Sequence, residues 1–341
     1  MKRLSVISKL GAASAAVVAA AMIVGSGTAA LAQSGEVIYY GYKGAMIPAT
    51  IKAFNKIYPN IEVKAITGQG TETLARIKAE KDNPQGDVIY GDTNSLINNY
   101  QYFEPYKSKH HDAFPAWSLM KVGDDIMAYG YNVSIQIFVV NTNVMKIGDA
   151  PTSWKELMLP KYKGKFMVGN PALSSAGYYS FSQMYIMNGR AGVEGYVENG
   201  TFMSKTNLVP ANVGRGEVAF GLVEETKSWG LADKGFPVKV IYPSEGVVPT
   251  VAGIGLIKNR PNMENGRLFA EFMNSREGHN INVATRNRRA PRKDADAPRG
   301  LAPFSELKLN PKVNVDETVK NRDAWVKIFD EIFYKKQKKG S

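Results

Sequence analysis

Three short loops combine glycine with polar side chains where the chain is predicted to pass from a strand into a helix. Glycine lets the backbone approach a ligand closely, and the free N–H groups at the start of a helix favour an anion. Because the carboxyl ends of parallel strands share one edge of a sheet, we expect the three loops to meet there. The loops are Gly41–Gly44, Thr67–Thr73 and Tyr90–Ser95, and their candidate ligand-binding residues are Tyr42, Lys43, Gly70, Thr71, Glu72, Thr73 and Asp92.

The second half of the chain contains a loop of the same kind. Residues Asn170–Gly177 follow a predicted strand and precede a predicted helix. A serine here can cap the helix, while the same N–H groups can hold a carboxylate or a phosphate. The candidate residues of this loop are Asn170, Ser174, Ser175 and Gly177.

Three carboxylates follow other predicted strands of this half. Glu224 and Glu225 come after one strand, and Glu245 comes after another. A carboxylate at such a position can accept hydrogen bonds from ligand hydroxyls or from an ammonium group. A solvated acidic turn is the alternative for each of them, so both interpretations stay open here.

Residues for catalysis or metal binding are scarce. The histidines are His110, His111 and His279, and none has the spacing of a nucleophile or metal site. The chain has no cysteine, which excludes thiolate nucleophiles, disulfides and cysteine-type zinc or iron–sulfur sites. It also lacks the P-loop, the H-E-x-x-H motif and the calcium-loop motif. We therefore expect no catalytic residue, no cofactor and no metal ligand.

The elements that must position the candidate residues alternate between strands and helices. Short connections and single intervening helices predict a β-α-β-α-β unit, and hence a parallel sheet with right-handed crossovers. In chain order the predicted elements are the strand Val37–Tyr40, the helix Ile47–Tyr58, the strand Ile61–Ile66, the helix Thr71–Lys81 and the strand Asp87–Tyr90.

The rest of the chain predicts a second sheet with two connections to the first. The apolar runs Ile135–Val140 and Thr250–Lys258 are predicted to cross between the two parts. Apolar residues at helical spacing from Trp325 to Phe333 predict a C-terminal helix packed on a core, and Lys335–Lys339 is predicted to be a solvated, frayed tail. The remaining predictions are a capping box at Ser153–Glu156, strands at Lys165–Val168, Glu217–Leu222 and Val238–Tyr242, and a helix at Met263–Met273.

The N-terminus has the layout of a cleavable secretory signal over residues 1–32. Lys2, Arg3 and Lys9 precede the apolar run Leu10–Val24, and small residues at 30 and 32 offer a cleavage site before Gln33. An uncleaved N-terminal anchor is the alternative. With cleavage, we expect the mature protein in the periplasm without stable membrane insertion.

The charge of the chain is strongly basic. Removing the three basic residues of the signal leaves 40 Lys and Arg against 31 Asp and Glu, a net charge of +9. Such a charge favours anionic partners through its long-range field. The basic residues are dispersed apart from one dense cluster at 286–293, and an exported protein rarely meets nucleic acid. We therefore expect no nucleic-acid partner.

Several segments together resemble a known family, the periplasmic solute-binding proteins of ABC importers. The similarity is to the ferric-iron-type group, extracellular solute-binding family 1, which includes binders of phosphonates, sugar phosphates and thiamine. The similarity runs from about Val37 to about Leu309 in the family's order. The resembling segments are Thr71–Glu80, Asn83–Val88, Pro151–Leu157, Pro160–Lys165, Asn170–Pro171, Gly216–Ala219 and Val238–Pro243.

The resemblance implies an α/β fold of two lobes, the type II Venus-flytrap fold, with two crossing hinge strands. Lobe one would comprise residues 33–137 and 253–300, and lobe two residues 138–252 and 301–341. A solute would bind between the lobes and be enclosed by hinge closure. The implied partners are a small solute and the membrane permease of an ABC importer, and we expect a monomer.

The resemblance leaves the solute open. Ferric binders of the group place adjacent tyrosines just past the Gly-Glu-Val strand, whereas Val223–Trp229 has none here. We therefore favour a small anionic organic solute, most of all a phosphorylated or phosphonate compound, with ferric iron as the alternative. A secreted hydrolase or transferase on a related fold and a basic adhesin are the alternatives from other classes.

Overall fold

The computed structural model describes residues 33–68, 70–260 and 262–340, apart from the side chains of Thr71, Asn94 and Lys339. Residues 1–32, where the sequence predicts the signal peptide, lie outside this part of the chain. The strands are β1 (Gly35–Gly41), β2 (Ile61–Thr67), β3 (Val88–Asp92), β4 (Phe103–Glu104), β5 (Leu119–Val122), β6 (Asp125–Ser134), β7 (Gln136–Asn141), β8 (Phe166–Gly169), β9 (Gly200–Met203), β10 (Phe220–Glu224), β11 (Val238–Ile241) and β12 (Thr250–Ile257).

Helices connect these strands and cover the sheets. Short 3₁₀ helices lie in several loops, among them Lys155–Met158 after the predicted capping box. In the described ranges no helix is both long and apolar enough to cross a bilayer. The α-helices are α1 (Met46–Ile57), α2 (Gly70–Ala79), α3 (Thr93–Ile97), α4 (Ser175–Asn199), α5 (Leu208–Arg215), α6 (Glu225–Ala232), α7 (Met263–Asn274), α8 (Arg276–Arg286), α9 (Val315–Lys320) and α10 (Arg322–Gly340).

The first sheet has the strand order β2-β1-β3-β12-β6-β5, with β4 paired to β12. The pairs β1–β2 and β1–β3 are parallel, so the predicted β-α-β-α-β unit is confirmed. The other half of the sheet is antiparallel, which the parallel sheet predicted from this unit does not include. The reason is that β12 returns to this sheet from the second one and runs antiparallel to both of its neighbours, β3 and β6.

The second sheet has the order β11-β7-β10-β8-β9. Its strands include those predicted from Lys165, Glu217 and Val238, with bounds shifted by up to three residues. The chain passes between the sheets at Ile135, the first residue of one predicted crossing run, because β7 already pairs with β10. The other run, β12, lies wholly in the first sheet, so the return precedes Thr250. The predicted lobe boundaries stay a prediction.

The C-terminal helix α10 packs on the second sheet's core, as predicted. Trp325, Phe329 and Ile332 are buried there with the aromatic residues of α4. The prediction of a solvated, frayed tail at Lys335–Lys339 is confirmed only for the exposure of Lys335, Gln337 and Lys338, because the helix α10 continues through the segment. The ammonium of Lys336 donates to the carbonyl oxygens of Val197 (2.6 Å) and Glu198 (3.0 Å) at the end of α4. A cation at that position stabilises the negative end of a helix.

Buried contacts fix α8 to the first sheet. The Tyr131 hydroxyl on β6 donates to the carbonyl of Gly278 (2.8 Å), and the Asn282 amide donates to the carbonyl of Tyr131 (3.3 Å). Just beyond α8, the carbonyl of Arg289 accepts from the N–H of Val133 on β6 (2.8 Å). The segment after α8 is therefore held to the first sheet by its backbone.

The imidazole of His279 is fully buried within this contact. Its ring centroid lies 5.0 Å from that of Tyr131 and 5.5 Å from that of Phe114. Burial lowers the pKa of His279 to about 3, and the nearby Arg292 guanidinium acts in the same direction. The ring is therefore neutral at physiological pH and serves as part of the core.

We predict that His279 makes the fold acid-sensitive. An unfolded histidine has a pKa of about 6.5, so between about pH 6.5 and pH 3 the unfolded state binds a proton that the folded state does not. His279 should therefore reduce the free energy of unfolding by about 2–3 kcal/mol when the pH falls to 4.5. In urea titrations at pH 7.5 and pH 4.5, His279→Phe should lose most of this difference, whereas His111→Gln should keep it. Equal pH dependence in His279→Phe and the wild type would contradict this.

Candidate functional site

A cavity of about 340 Å³ lies between the two sheets, where β3, β6 and β12 of the first face β10 and the start of α4. Its size is within the range of small-molecule sites. The wall is polar and contains two arginines and two carboxylates. The residues that line it are Tyr42, Tyr90, Asp92, Asn132, Ser134, Gln136, Ser175, Ala176, Tyr179, Glu224, Thr250, Val251, Ala252, Arg286 and Arg288.

Four of the residues predicted from the sequence line this cavity: Tyr42, Asp92, Ser175 and Glu224. Gly70 lies beside them at the start of α2. A Cβ atom at Gly70 would come within 2.9 Å of the Tyr42 hydroxyl oxygen and 3.6 Å of Asp92 Oδ2. A larger residue here would press on both side chains. The structure therefore brings together loops from three strand ends and the second half of the chain, as the sequence predicts.

The other predicted residues do not line the cavity. Lys43 and Glu72 are exposed and Thr73 is buried, while the side chain of Thr71 lies outside what the structure describes. The carboxylate of Glu245 accepts from the N–H of Trp154 (2.9 Å) and so caps the 3₁₀ helix that begins at Lys155. The Glu245 carboxylate, in the turn after β11, therefore stabilises the fold and does not face the cavity.

The start of α4 borders the cavity, and the first N–H groups of a helix have no partner within the helix. The Ser174 hydroxyl caps the helix by accepting from the N–H of Gly177 (3.2 Å), and Ser175 and Ala176 line the wall. A side chain at Gly177 is excluded, because its Cβ would lie 2.2 Å from the carbonyl oxygen of Gly169. Asn170 forms a local turn through its side-chain oxygen and the N–H of Ala172 (2.8 Å). Asn170, Ser174 and Gly177 therefore position the start of the helix, and of the predicted residues of this loop only Ser175 lines the cavity.

Tyrosines and one carboxylate form the other side of the wall. The ring centroids of Tyr42 and Tyr90 are 5.4 Å apart, and the Tyr90 hydroxyl donates to Asn132. Burial raises the pKa of Tyr42 and of Tyr179, and the negative charge of Asp92 adds to both effects. These phenols are therefore kept protonated. Asp92 accepts from the N–H (3.1 Å) and the hydroxyl (3.0 Å) of Ser95.

Arg286 and Arg288 enter the cavity from the end of α8. Arg288 is neutralised by Glu224, with N–O distances of 2.5 and 3.1 Å from its two terminal nitrogens. Arg286 donates to the Tyr90 hydroxyl (3.4 Å) and lies over that ring, 5.8 Å from the centroid. In the ranges that the structure describes, Arg286 has no ion-pair partner. It is thus a cation available to an anionic ligand.

Glu225 is directed away from the cavity. It is 2% exposed and accepts from Nε (2.6 Å) and a terminal nitrogen (2.9 Å) of Arg289, which is 1% exposed. The hydroxyl of Tyr242 donates to the same carboxylate. Of the two adjacent glutamates, the structure therefore places Glu224 in the cavity wall and Glu225 in a buried ion pair.

Sequence reasoning missed several residues of the wall. The basic cluster at 286–293 bears only on nucleic acid in the sequence analysis, although its density is the signal that could have identified Arg286 and Arg288. Tyr90 ends a predicted strand and could have been chosen for the same reason as Asp92. Tyr179, Asn132 and Ser134 carry no such signal, because they reach the site only through the packing of α4 and β6.

Comparison with known proteins agrees with this architecture. Residues 49–312 match the family described as bacterial extracellular solute-binding proteins. A putative 2-aminoethylphosphonate-binding periplasmic protein of Salmonella paratyphi A is 24% identical over 240 residues, covering 66% of this chain and 68% of that protein.

Solved structures show the same fold. The periplasmic binding protein AfuA from Actinobacillus pleuropneumoniae, with fructose-6-phosphate bound, is 23% identical with a TM-score of 0.70, covering 87% of this chain and 99% of that one. Iron-bound HitA from Pseudomonas aeruginosa is 20% identical with a TM-score of 0.74, covering 88% and 99%. The expected two-lobed type II fold is confirmed.

The family match extends over more than half of the chain, and the segments on which the sequence resemblance rested lie largely within it. The chain therefore belongs to the bacterial extracellular solute-binding proteins, the periplasmic binding proteins of ABC importers.

Proposed function

We propose that this protein binds a small organic anion carrying a phosphate or phosphonate group and delivers it to the membrane permease of an ABC importer. The observation that carries the proposal is Arg286, a cation in the cavity wall with no ion-pair partner among the described residues. A guanidinium presents paired N–H donors that match the oxygens of a phosphate or phosphonate group. The start of α4 supplies N–H groups that favour the same anion.

The position of these donors supports closure around the solute. Arg286 is held to the first sheet through α8, whereas Ser175 belongs to the second-sheet side. An anion that contacts both binds the closed form more tightly than the open one. Shifting a mostly open population to a mostly closed one needs about 5 kcal/mol of differential binding. Two or three charge-assisted hydrogen bonds, at about 1.5–3 kcal/mol each, supply this.

The cavity also has an acceptor for a second group of the solute. Asp92 faces the cavity beside Tyr42, so it can accept from an amine or hydroxyl of a bifunctional anion. The printed ligands of two similar proteins, 2-aminoethylphosphonate and fructose-6-phosphate, are both phosphorus-containing anions with such groups. We further propose a monomeric protein of the periplasm, released by signal cleavage before Gln33, with neither an enzymatic activity nor a nucleic-acid partner.

Ferric iron is the second candidate, because Tyr42, Tyr90 and Tyr179 line the same cavity as Asp92 and a similar structure holds iron. Two observations weigh against it. The wall carries two arginines, which repel a cation, and burial raises the pKa of Tyr42 and Tyr179, which disfavours the phenolate that iron needs. Among the described residues no cluster of three histidine, aspartate or glutamate side chains offers another metal site.

We predict that Arg286→Gln weakens the binding of 2-aminoethylphosphonate or a sugar phosphate by roughly 10- to 150-fold, the equivalent of losing about 1.5–3 kcal/mol. Calorimetry on the mature protein measures this directly. The control is Arg276→Gln, an exposed arginine of the same helix that pairs with Asp296, and it should bind as the wild type does. Tight binding that survives in Arg286→Gln contradicts the assigned site.

We predict that Ser175→Asp weakens the same anions at least tenfold, because a carboxylate would stand at the helix start that faces the ligand. The control is Leu173→Asp, which adds the same charge two residues away on an exposed side chain. Fluorescence or calorimetric titration compares the two variants. A loss of equal size in both would show a general charge effect and not a site at α4.

We predict that the purified mature protein stays colourless when ferric citrate is added. A tyrosinate–iron site gives a visible charge-transfer band, and the protonated phenols of this wall should not. Absorbance titration together with metal analysis measures the outcome. A band that develops with one iron per chain and disappears in Tyr179→Phe would favour the iron importer instead.

A further inference from the structure

We propose that Glu224 competes with the solute: its carboxylate pairs with Arg288, a second arginine that the solute's anionic group contacts together with Arg286, and so it sets the affinity and selectivity of the site. This inference rests on the proposed function and deepens it. Glu224 lines the cavity but does not itself bind the solute.

The contacts of Glu224 are those of a bound anion. Both of its oxygens accept from Arg288, at 2.5 and 3.1 Å, and the Ser134 hydroxyl donates to one of them at 3.0 Å. Arg288 also donates to the Ser134 hydroxyl oxygen, at 3.1 Å. A phosphate or phosphonate offers the same geometry of oxygens to a guanidinium and a hydroxyl. The Glu224 carboxylate therefore occupies a position at Arg288 and Ser134 that another anion could take.

The adjacent pair Glu225–Arg289 shows what a permanent ion pair looks like in this protein. Its side chains are 2% and 1% exposed, and it is closed off by Tyr242 and the carbonyl of Ala302. The Glu224–Arg288 pair has side chains 10% and 20% exposed, and both partners line the cavity. A solute in the cavity can therefore reach the Glu224–Arg288 pair but not the Glu225–Arg289 pair.

The competing pair also joins the two sheets. Glu224 ends β10 of the second sheet, whereas Arg288 lies beside the backbone bond that ties Arg289 to Val133 of the first. Without solute, the pair therefore bridges the two sheets and compensates the charge of Arg288. A solute that binds the Arg288 guanidinium more weakly than the Glu224 carboxylate does will not displace Glu224. Anions that bind arginine strongly, such as phosphonates and phosphates, are selected over weaker ones.

The test compares Glu224→Gln with the wild type in calorimetric titrations of methylphosphonate, 2-aminoethylphosphonate and inorganic phosphate. Removing the competitor should tighten all three by at least tenfold, and Glu224→Asp should restore much of the wild-type affinity. Two controls remove one carboxylate elsewhere. Glu217→Gln, a half-exposed residue paired with Arg215, should leave the affinities unchanged. Glu225→Gln should lower the melting temperature without tightening any probe.

A second measurement reports this bridge between the two sheets independently of affinity. The chain has no cysteine, so Lys52→Cys and Lys155→Cys allow dyes on the two sides of the cleft. In the absence of solute, Glu224→Gln should shift the single-molecule energy-transfer distribution toward longer distances. An identical distribution in Glu224→Gln and the wild type, together with unchanged affinities, overturns the inference.

The outcomes separate this inference from the proposed function. If the wild type binds a probe that Arg286→Gln does not, while Glu224→Gln binds it no tighter, only the competitor role is wrong. If Glu224→Gln weakens 2-aminoethylphosphonate and leaves methylphosphonate unchanged, Glu224 is an amine acceptor and the inference is overturned. If neither the wild type nor Glu224→Gln binds any of the three probes, both proposals are contradicted.

Discussion

Three arginines within four residues leave the end of α8 and enter the space between the two sheets, and each buried charge must be compensated. Arg289 is compensated by Glu225 in a fully buried pair, and Arg288 by Glu224 in the cavity wall. Arg286 has only the hydroxyl and ring of Tyr90 among the described residues. The site depends on this unequal compensation, because the last charge is left for a ligand to neutralise.

The fold makes this arrangement possible by crossing between the sheets and returning. The ends of β6 and β12 meet at the passage, where Thr250 donates to the carbonyl of Ser134. The arginine segment is fixed to β6 by its backbone and reaches the second sheet by its side chains. Motion of one sheet against the other therefore changes the distances within the arginine–glutamate pairs. A solute that replaces one of these pairs changes the balance between open and closed forms.

The sequence was informative about local elements and about loops at strand ends. The β-α-β-α-β unit follows from periodicity, and Tyr42, Asp92 and Ser175 follow from their positions after strands or before a helix. The antiparallel half of the first sheet could not be predicted, because its long strands are buried on both faces and show no alternation. The roles of Glu224 and Glu225 differ only through their arginine partners, which lie about 64 residues away in the chain. The pattern of a single sequence cannot show which arginine pairs with which glutamate.

In the proposed complex, an organic anion lies between the sheets with its charged group at Arg286 and the start of α4. A crystal structure of the mature protein, purified with the solute it carries from the cell, tests this most directly. We expect density for a phosphorus-containing anion within hydrogen-bonding distance of the Arg286 guanidinium and of backbone N–H groups at Ser175 or Ala176. A cavity that instead holds a metal ion on the tyrosine side, or an uncharged solute that leaves Arg286 without an anionic partner, would contradict it.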